Sequence, residues 1–245
     1  MSRHLAIVPA LNEAGSIAQI VSEIHTHAPG FDVLVLDDGS TYDTAAIATA
    51  AGARVISLPF NVGIGGAVQC GYMYARDHGY EIAVQVDGDG QHDARDIPRL
   101  LAELSESPPV EMVTGSRFLG PGDGGYRSSP LRRIGIRVFA ATISLITRQR
   151  ATDPTSGFRL VARSAIEIFA RDYPHDYPEV EAILLLHAHR LRSRELAVTM
   201  RPRTSGRSTI NRRGVPAYYM VKVLLAVFVG MLRARPTIEP GDRGV

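Results

Sequence analysis

The chain has 245 residues, of which 45% are hydrophobic and 21% are charged, and its formal net charge is +2. This composition is typical of a globular protein that can bury a full core, either as one large domain or as two modest ones. Cys70 is the only cysteine, which excludes an internal disulfide and a cysteine-based zinc cluster. The first residues become charged too early for a secretory signal, and no run of about 20 apolar residues spans a bilayer, so we expect a cytoplasmic chain.

The charge is distributed unevenly along the chain. Residues 1–115 contain five arginines and fifteen acidic residues, whereas residues 116–245 contain twenty-one arginines, Lys222 and ten acidic residues. This asymmetry indicates an anionic partner for the second half, such as phosphates, lipid headgroups or nucleic acid. We expect no nucleic-acid partner, because the basic half lacks a reading motif or an interleaved aromatic platform. A basic surface that serves only solubility is the alternative.

Strands and helices alternate through the first half of the chain. Short apolar, β-favouring runs predict strands, and the segments between them have apolar residues at helical spacing or a glycine-rich helix start. The predicted strands cover residues 4–9, 32–36, 53–58, 82–86 and 110–114. The predicted helices cover residues 17–28, 44–51, 61–79 and 95–106. Asn12 or Ser16 is expected to cap the first helix. This alternation predicts an α/β fold with a mainly parallel twisted sheet and helices on both faces.

The second half of the chain is less regular. A loop rich in glycine and proline at 120–129 precedes a predicted basic amphipathic helix at 131–148, and a further helix is predicted at 178–189. Residues 217–232 are apolar except for Lys222 but are too few to cross a bilayer upright. They are open to three interpretations: a buried helix, an oligomer contact or an interfacial anchor. The tail beyond them is predicted to be disordered.

Asp87 and Asp89 directly follow the predicted strand 82–86. Both carboxylates are therefore delivered at its carboxyl end, where open α/β sheets bind ligands, and Gly88 and Gly90 add no side-chain bulk. Two carboxylates one residue apart suit a hard divalent ion that keeps open positions for phosphate oxygens. The pattern indicates a metal-diphosphate site. The alternative is an ordinary acidic turn, in which Asp and Gly occur for conformational reasons.

Other phosphate-binding patterns fit the chain poorly. The glycines of segment 63–71 lie between a strand and a helix, but a GxGxxG motif would require glycine in place of Val68. Lys222, the only lysine, lies in the apolar segment, which excludes a P-loop and leaves a HAD-type phosphatase without its downstream lysine. His92 lies beside the aspartates, and we interpret it as a structural hydrogen-bonding residue rather than a metal ligand.

Six motifs follow one another along the chain: PALNE at 9–13, LDDGS at 36–40, NVGIGGAVQCG at 61–71, VDGDGQHD at 86–93, TGSRF at 114–118 and DPTSGFR at 153–159. Together they resemble the family 2 glycosyltransferases, in particular their dolichol-phosphate mannosyltransferase and polyprenyl-phosphate glycosyltransferase branch. The resemblance extends over about residues 4–210. It implies a GT-A (Rossmann-like) fold, an inverting transfer from a nucleotide-activated sugar, and a Mg²⁺ or Mn²⁺ ion.

The resemblance also implies roles for individual residues. Asp87 and Asp89 correspond to the DxD pair that holds the metal, and Asp89 is the favoured direct ligand. Arg117 and Arg159 match positions expected to face phosphate or sugar. Asp153 matches a catalytic or acceptor-positioning acid, although an Asp-Pro turn also explains an aspartate there. The remaining positions implied to bind the nucleotide sugar are Pro9, Ala10, Asn12, Glu13, Asp38, Gly65, Gly88, Arg203, Arg207 and Ser208.

These observations predict an inverting hexosyltransferase that uses a UDP- or GDP-sugar and acts on a polyprenyl phosphate. The rivals are a HAD-like phosphatase and a non-catalytic nucleotide-sugar-binding protein. We expect a nucleotide-sugar and metal-binding half at 1–115, an acceptor-side half of the same domain at 116–213, and an apolar helix with its tail at 214–245. We also expect peripheral attachment to the anionic inner face of the cell membrane, with a homo-oligomer or a membrane-protein partner as further possibilities.

Overall fold

Seven strands form one mixed sheet in the computed structural model, which describes residues 3–119, 130–175 and 177–201. The strands are β1 His4–Ala10, β2 Phe31–Asp37, β3 Arg54–Ser57, β4 Ile82–Gln85, β5 Met112–Ser116, β6 Arg159–Ala162 and β7 Ser193–Ala197. The helices are α1 Ile17–His27, α2 Thr44–Ala50, α3 Gly63–Asp77, α4 Ile97–Ser105, α5 Pro130–Thr147, α6 Arg163–Arg171 and α7 Pro178–Ala188. A short 3₁₀ turn, Ala94–Asp96, precedes α4.

The sheet is mainly parallel, as predicted, and its strand order is β3-β2-β1-β4-β6-β5-β7. β1 pairs in parallel with β2 and β4, β3 with β2, and β7 with β5. β6 is antiparallel to both of its neighbours, β4 and β5. The sequence pattern does not predict β6, α6 or β7. β6 has four residues and begins with an arginine, so its strand character comes from the two strands that flank it rather than from a local pattern.

Helices cover both faces of the sheet, which confirms the predicted layering. Successive residues of β1 point to opposite faces: Leu5 and Ile7 belong to one buried cluster, and Ala6 and Val8 to the other. Residues of α3, α5, α6 and α7 complete the first cluster, and residues of α1, α2 and α4 complete the second. The two cores therefore hold the central strands from both sides and leave their carboxyl ends at one edge.

Several element boundaries differ from the predicted ones. The strand predicted at 110–114 is β5, Met112–Ser116, because the backbone N–H of Val110 bonds to Leu104 O at the end of α4 and the strand's last residues pair with β7. Arg117 therefore follows the strand directly. The strand also crosses residue 115, so both predicted halves contribute to one sheet, and the functional division between them stays a prediction. Among the described helices, none combines the length and apolarity needed to cross a membrane.

Candidate active site

The carboxyl ends of β1, β2 and β4 meet at one edge of the sheet. The backbone N–H of Asp38 donates to Ala10 O at 2.9 Å, and that of Gly88 donates to Pro9 O at 3.1 Å. A Cβ added to Gly88 would lie 2.9 Å from Pro9 O, so only glycine allows this close approach of the two segments. The structure thus brings the PALNE, LDDGS and VDGDGQHD segments together, as expected for parallel strands.

The Asp87 carboxylate is held by its neighbours and remains accessible, with 31% of the side chain exposed. Its Oδ1 accepts a hydrogen bond from Gln85 Nε2 at 2.8 Å. Its backbone N–H donates to His92 Nδ1 at 3.0 Å, which leaves the ring proton of the neutral imidazole on Nε2. His92 is buried and stacks on Phe158 with 4.8 Å between ring centroids. His92 therefore positions Asp87, which is the structural role that the sequence favoured.

The loop that carries Asp89 is fixed from two sides. Asp89 Oδ1 accepts from the backbone N–H of Gln91 at 3.0 Å. On the opposite side, the buried Ser16 hydroxyl donates to Gly88 O at 2.6 Å. Ser16 occupies the N-cap position of α1 but makes no side-chain hydrogen bond to that helix, so the predicted capping role is wrong. The shortest hydrogen bond of this hydroxyl, to Gly88 O, joins residues 72 positions apart, and no local sequence signal reveals that contact.

Three of the residues expected to line the nucleotide pocket have polar contacts within the protein. The Asp38 carboxylate accepts from the backbone N–H groups of Val62 and Gly63, at the start of α3. Asn12 Oδ1 accepts from the backbone N–H of Thr41 at 2.9 Å, which ties the PALNE segment to the loop after β2. The third, Glu13, is 6% exposed and takes part in a hydrogen bond with the Ser16 hydroxyl. These contacts shape the edge near β1 and β2.

Gly65 has a packing role in the structure. A Cβ at this position would lie 2.5 Å from Pro174 O and 2.7 Å from the Cα of His175. No other residue fits between α3 and that segment, so close packing is sufficient to explain the glycine. A contact between Gly65 and the nucleotide sugar, which the resemblance implies, stays a prediction.

Arg117 and Asp153 form a buried ion pair. Arg117 Nε donates to Asp153 Oδ2 at 2.6 Å, and Nη2 donates to Oδ1 at 2.7 Å. The backbone N–H of Arg117 and the hydroxyl of Thr155 add two more hydrogen bonds to the same carboxylate. The Asp153 side chain is 0% exposed and that of Arg117 is 6% exposed. With four donors around it, this carboxylate is suited to orienting the arginine rather than to taking a proton.

The turn that contains Asp153 packs against the first aspartate of the acidic pair. A Cβ on Gly157 would lie 3.0 Å from Asp87 Oδ2, and the next residue, Phe158, carries the ring on which His92 stacks. The backbone N–H of Gly115 also donates to Phe158 O at 2.8 Å. The motifs at 86–93, 114–118 and 153–159 therefore form one contiguous site.

Arg159 faces backbone carbonyls instead of the open edge. The side chain is almost fully buried; Nε donates to Ser156 O at 2.9 Å, and Nη2 donates to Pro154 O at 3.2 Å and to Glu179 O. A buried guanidinium needs acceptors, and the carbonyls of the turn and of α7 supply them for Nε and Nη2. Nη1 is buried without a hydrogen-bond partner among the described residues. A contact between Arg159 and phosphate or sugar stays a prediction. Burial raises the pKa of the Glu179 carboxyl, while the positive charge of Arg159 opposes that rise.

Asp93 links the acidic loop to Arg201, the last described residue. Its carboxylate accepts hydrogen bonds from Arg95 and lies 3.0 Å from Arg201 Nη2, and the backbone N–H of Arg201 donates to Gln91 O. The hydrogen bonds from Arg95 lower the pKa of Asp93 to about 2, with the charge of Arg201 assisting. The basic segment that starts at Arg201 and includes positions implied to bind the nucleotide sugar therefore follows directly from a contact with the acidic loop. Its residues Arg203, Arg207 and Ser208, and the apolar segment 217–232, lie outside the described residues.

The Asp93 contacts predict a loss of stability in acid. Folding lowers the pKa of Asp93 from 3.8 to about 2, so its contribution is fully present above pH 3.8 and is lost as the pH falls through about 2. A shift of this size corresponds to about 2 kcal/mol of unfolding free energy. Between pH 5 and pH 2 the unfolding free energy of the wild type should fall by about 2 kcal/mol more than that of Asp93→Asn. Urea unfolding across this range measures the difference, and identical acid dependence in the two proteins would contradict it.

Comparison with protein-family models decides the family. The model described as glycosyl transferase family 2 matches residues 5–169. The chain belongs to glycosyl transferase family 2. Among its relatives in this family, polyprenol monophosphomannose synthase of Mycolicibacterium smegmatis is 31% identical over 172 residues, which cover 67% of this chain and 63% of that protein. Undecaprenyl-phosphate mannosyltransferase of Micrococcus luteus is 32% identical over 162 residues, which cover 64% of this chain and 65% of that protein. The chain thus spans slightly less than two thirds of the length of either relative.

The GT-A fold is confirmed by a solved structure of glucosyl-3-phosphoglycerate synthase from Mycobacterium tuberculosis. That structure, in complex with Mn²⁺, UDP and glucosyl-3-phosphoglycerate, matches with a TM-score of 0.68 and 22% identity, covering 92% of this chain and 79% of that protein. At this identity the likeness establishes the fold alone. The nucleotide and the metal in that complex belong to the neighbour.

The oxygen donors of Asp87 and Asp89 fit a divalent metal ion. Asp87 and Asp89 offer hard oxygen donors on one loop, and Gly88 between them leaves no room for a side chain against β1. Within residues 3–119, 130–175 and 177–201, no group of three or more His, Cys, Asp or Glu side chains is arranged to hold a metal. Mg²⁺ is commonly bound in this way beside substrate phosphates: one or two carboxylates hold the ion, and its remaining coordination positions stay open.

Proposed function

We propose that the protein transfers a hexosyl group from a UDP- or GDP-sugar to a polyprenyl phosphate, with inversion at the anomeric carbon. The observation that carries the proposal is the packing of the 153–159 turn against Asp87. It puts an acidic pair suited to a metal-bound diphosphate next to a buried, charged pair suited to an anionic acceptor. The names of the two mannosyltransferase relatives support a lipid phosphate as acceptor.

In this proposal the chain's residues divide the work between donor and acceptor. Asp87 and Asp89 would hold a Mg²⁺ or Mn²⁺ ion, which when bound would stabilise negative charge on the departing nucleoside diphosphate. The acceptor phosphate oxygen forms a bond to the anomeric carbon as the bond to the diphosphate breaks. A phosphate is already ionised near neutral pH, so this step needs little deprotonation. Asp153 therefore holds Arg117 in place for the acceptor phosphate and has no strong-base role.

The membrane part of the proposal concerns residues outside the described ranges. The apolar segment 217–232 and the arginines before it contact the anionic inner face of the cell membrane, where each basic residue contributes on the order of 1 kcal/mol. A segment buried in the core, a homo-oligomer contact and a membrane-protein partner are the competing interpretations. None of the described helices is long and apolar enough to cross a bilayer. Attachment at the membrane surface would bring the acceptor lipid to the site.

One assay tests the donor, acceptor and metal together. Purified protein is incubated with UDP- and GDP-hexoses, Mg²⁺ or Mn²⁺, and vesicles that contain polyprenyl phosphate, polyprenol or no acceptor. We expect release of nucleoside diphosphate and formation of glycosylated lipid only with polyprenyl phosphate, and loss of both on chelation of the metal. Phosphoglyceric acid, present in related solved structures, serves as the soluble control acceptor.

Each rival gives a different result in the same assay. Metal-independent release of inorganic phosphate from simple phosphoesters indicates a phosphatase, and nucleotide-sugar binding without turnover indicates a non-catalytic protein. Transfer to phosphoglyceric acid in preference to the lipid contradicts the proposed acceptor. Sedimentation of the protein with the vesicles tests the attachment: binding should increase with anionic lipid and decrease with salt. Leu225→Glu should weaken it in protein that remains folded.

A further inference from the structure

Glu195 lies on β7 at the edge of the sheet, and its carboxylate binds the loop that carries Asp153. Oε1 accepts from the backbone N–H groups of Thr152 and Asp153, both at 2.9 Å. Oε2 accepts from the backbone N–H of Thr152 at 2.8 Å and from the Thr152 hydroxyl at 2.5 Å. A carboxylate that accepts from three donors on two successive residues determines the position of that loop.

The first connection from Glu195 to Arg117 passes through Asp153. Glu195 holds the backbone N–H of Asp153, and the Asp153 carboxylate accepts from the backbone N–H, Nε and Nη2 of Arg117. Both members of this ion pair are buried, so neither can exchange its partner for water at low cost. A shift of the 152–153 backbone therefore changes the direction of the Arg117 guanidinium.

The second connection passes through two hydroxyl groups. The Thr152 hydroxyl donates to the Glu195 carboxylate, so its oxygen is left to accept from another donor. The hydroxyl of Ser116 then donates to Thr152 Oγ1 at 2.6 Å and accepts from the backbone N–H of Phe118. Both connections end in residues 116–118, the segment that contains Arg117. The Glu195 carboxylate thus sets the direction of every hydrogen bond in this second chain.

We infer that Glu195 is a positioning residue that holds Arg117 toward the acceptor phosphate, acting through the 152–153 backbone. The part of this inference that concerns the acceptor rests on the proposed function, because that function assigns the acceptor phosphate to Arg117. Glu195 is not part of the acidic pair and does not act on the donor. Its removal should therefore weaken use of the acceptor and leave use of the nucleotide sugar intact.

Glu195→Gln tests this role, because an amide presents N–H groups where the carboxylate accepts hydrogen bonds. Hydrogen exchange followed by NMR should be about tenfold faster at the amides of Thr152, Asp153 and Arg117, and the acceptor KM should rise about tenfold with the donor KM changed less than about twofold. The matched control is Glu111→Gln. Its carboxylate also caps a backbone N–H, that of Arg192, but at the opposite end of β5 and β7. The control should leave the Arg117 amide and both KM values unchanged.

Wild-type exchange at the Arg117 amide in Glu195→Gln would overturn the inference, as would a donor KM that rises as much as the acceptor KM. Glu195→Asp keeps the charge and shortens the side chain, and it should give intermediate values. It provides the same measurements if the glutamine variant does not fold. A wild-type protein that glycosylates no lipid phosphate would contradict the proposed function, whereas exchange at Arg117 decides the positioning role without any substrate.

Discussion

Asp89→Ala should lower the rate of sugar transfer by about a thousandfold, equivalent to about 4 kcal/mol of transition-state stabilisation. The expected cause is loss of a direct ligand to the divalent ion that neutralises the departing diphosphate. The loop should survive the substitution, because Ser16 and Pro9 hold Gly88 through backbone atoms that the change does not touch. Steady-state assays at increasing Mn²⁺ measure the loss of transfer rate. Calorimetric titration of nucleotide in the presence of metal measures the loss of metal-dependent binding.

The control for this variant is Asp43→Ala. Asp43 precedes α2, is exposed and makes no side-chain capping hydrogen bond, so its loss removes one negative charge without a site contact. Its activity should remain within about twofold of the wild type, in the range expected of surface changes. Near-normal turnover by Asp89→Ala, at the metal concentration that saturates the wild type, would remove Asp89 from the metal site.

Asp153→Asn should abolish turnover, destabilise the protein and leave metal-dependent nucleotide binding intact. The substitution leaves the buried Arg117 guanidinium without its carboxylate, which costs about 3–5 kcal/mol. For a chain of this size that corresponds to a fall in the melting temperature of about 10 °C. Nucleotide binding should persist because Asp87 and Asp89 are held by β1, Gln85 and His92 rather than by Asp153. Thermal unfolding and nucleotide titration measure the two quantities.

Glu103→Gln is the matched control, because it breaks an ion pair with Arg194 whose side chains are about a quarter exposed. Its cost should be no more than about 1 kcal/mol, with turnover retained. Adding Arg117→Gln to Asp153→Asn should recover part of the lost stability, since the unpaired buried charge is then removed. If Asp153→Asn abolished nucleotide binding in folded protein, the assignment of Asp153 to the acceptor side would be wrong.

The acidic pair and the central strands were predictable because their signals are local. Short apolar, β-favouring runs identify β1, β2 and β4, and parallel connection then requires their carboxyl ends to share an edge. The strand β6 was not predictable in this way. Its four residues begin with Arg159, and pairing with β4 and β5 makes them a central strand. That pairing also buries Arg159, whose Nε and Nη2 donate to backbone carbonyls.

By itself the sequence determined the α/β alternation, the delivery of Asp87 and Asp89 at a strand end, and the family. Each depends on residues close together in the chain, or on motifs in a fixed order. Tertiary structure alone decided that Ser16 holds Gly88, that Asp153 holds Arg117, and that Glu195 holds the loop between them. These partners are 36 to 72 residues apart. Hydrophobic periodicity specifies which face of an element is buried, but contacts at that distance depend on strand order and register, which only the packed sheet provides.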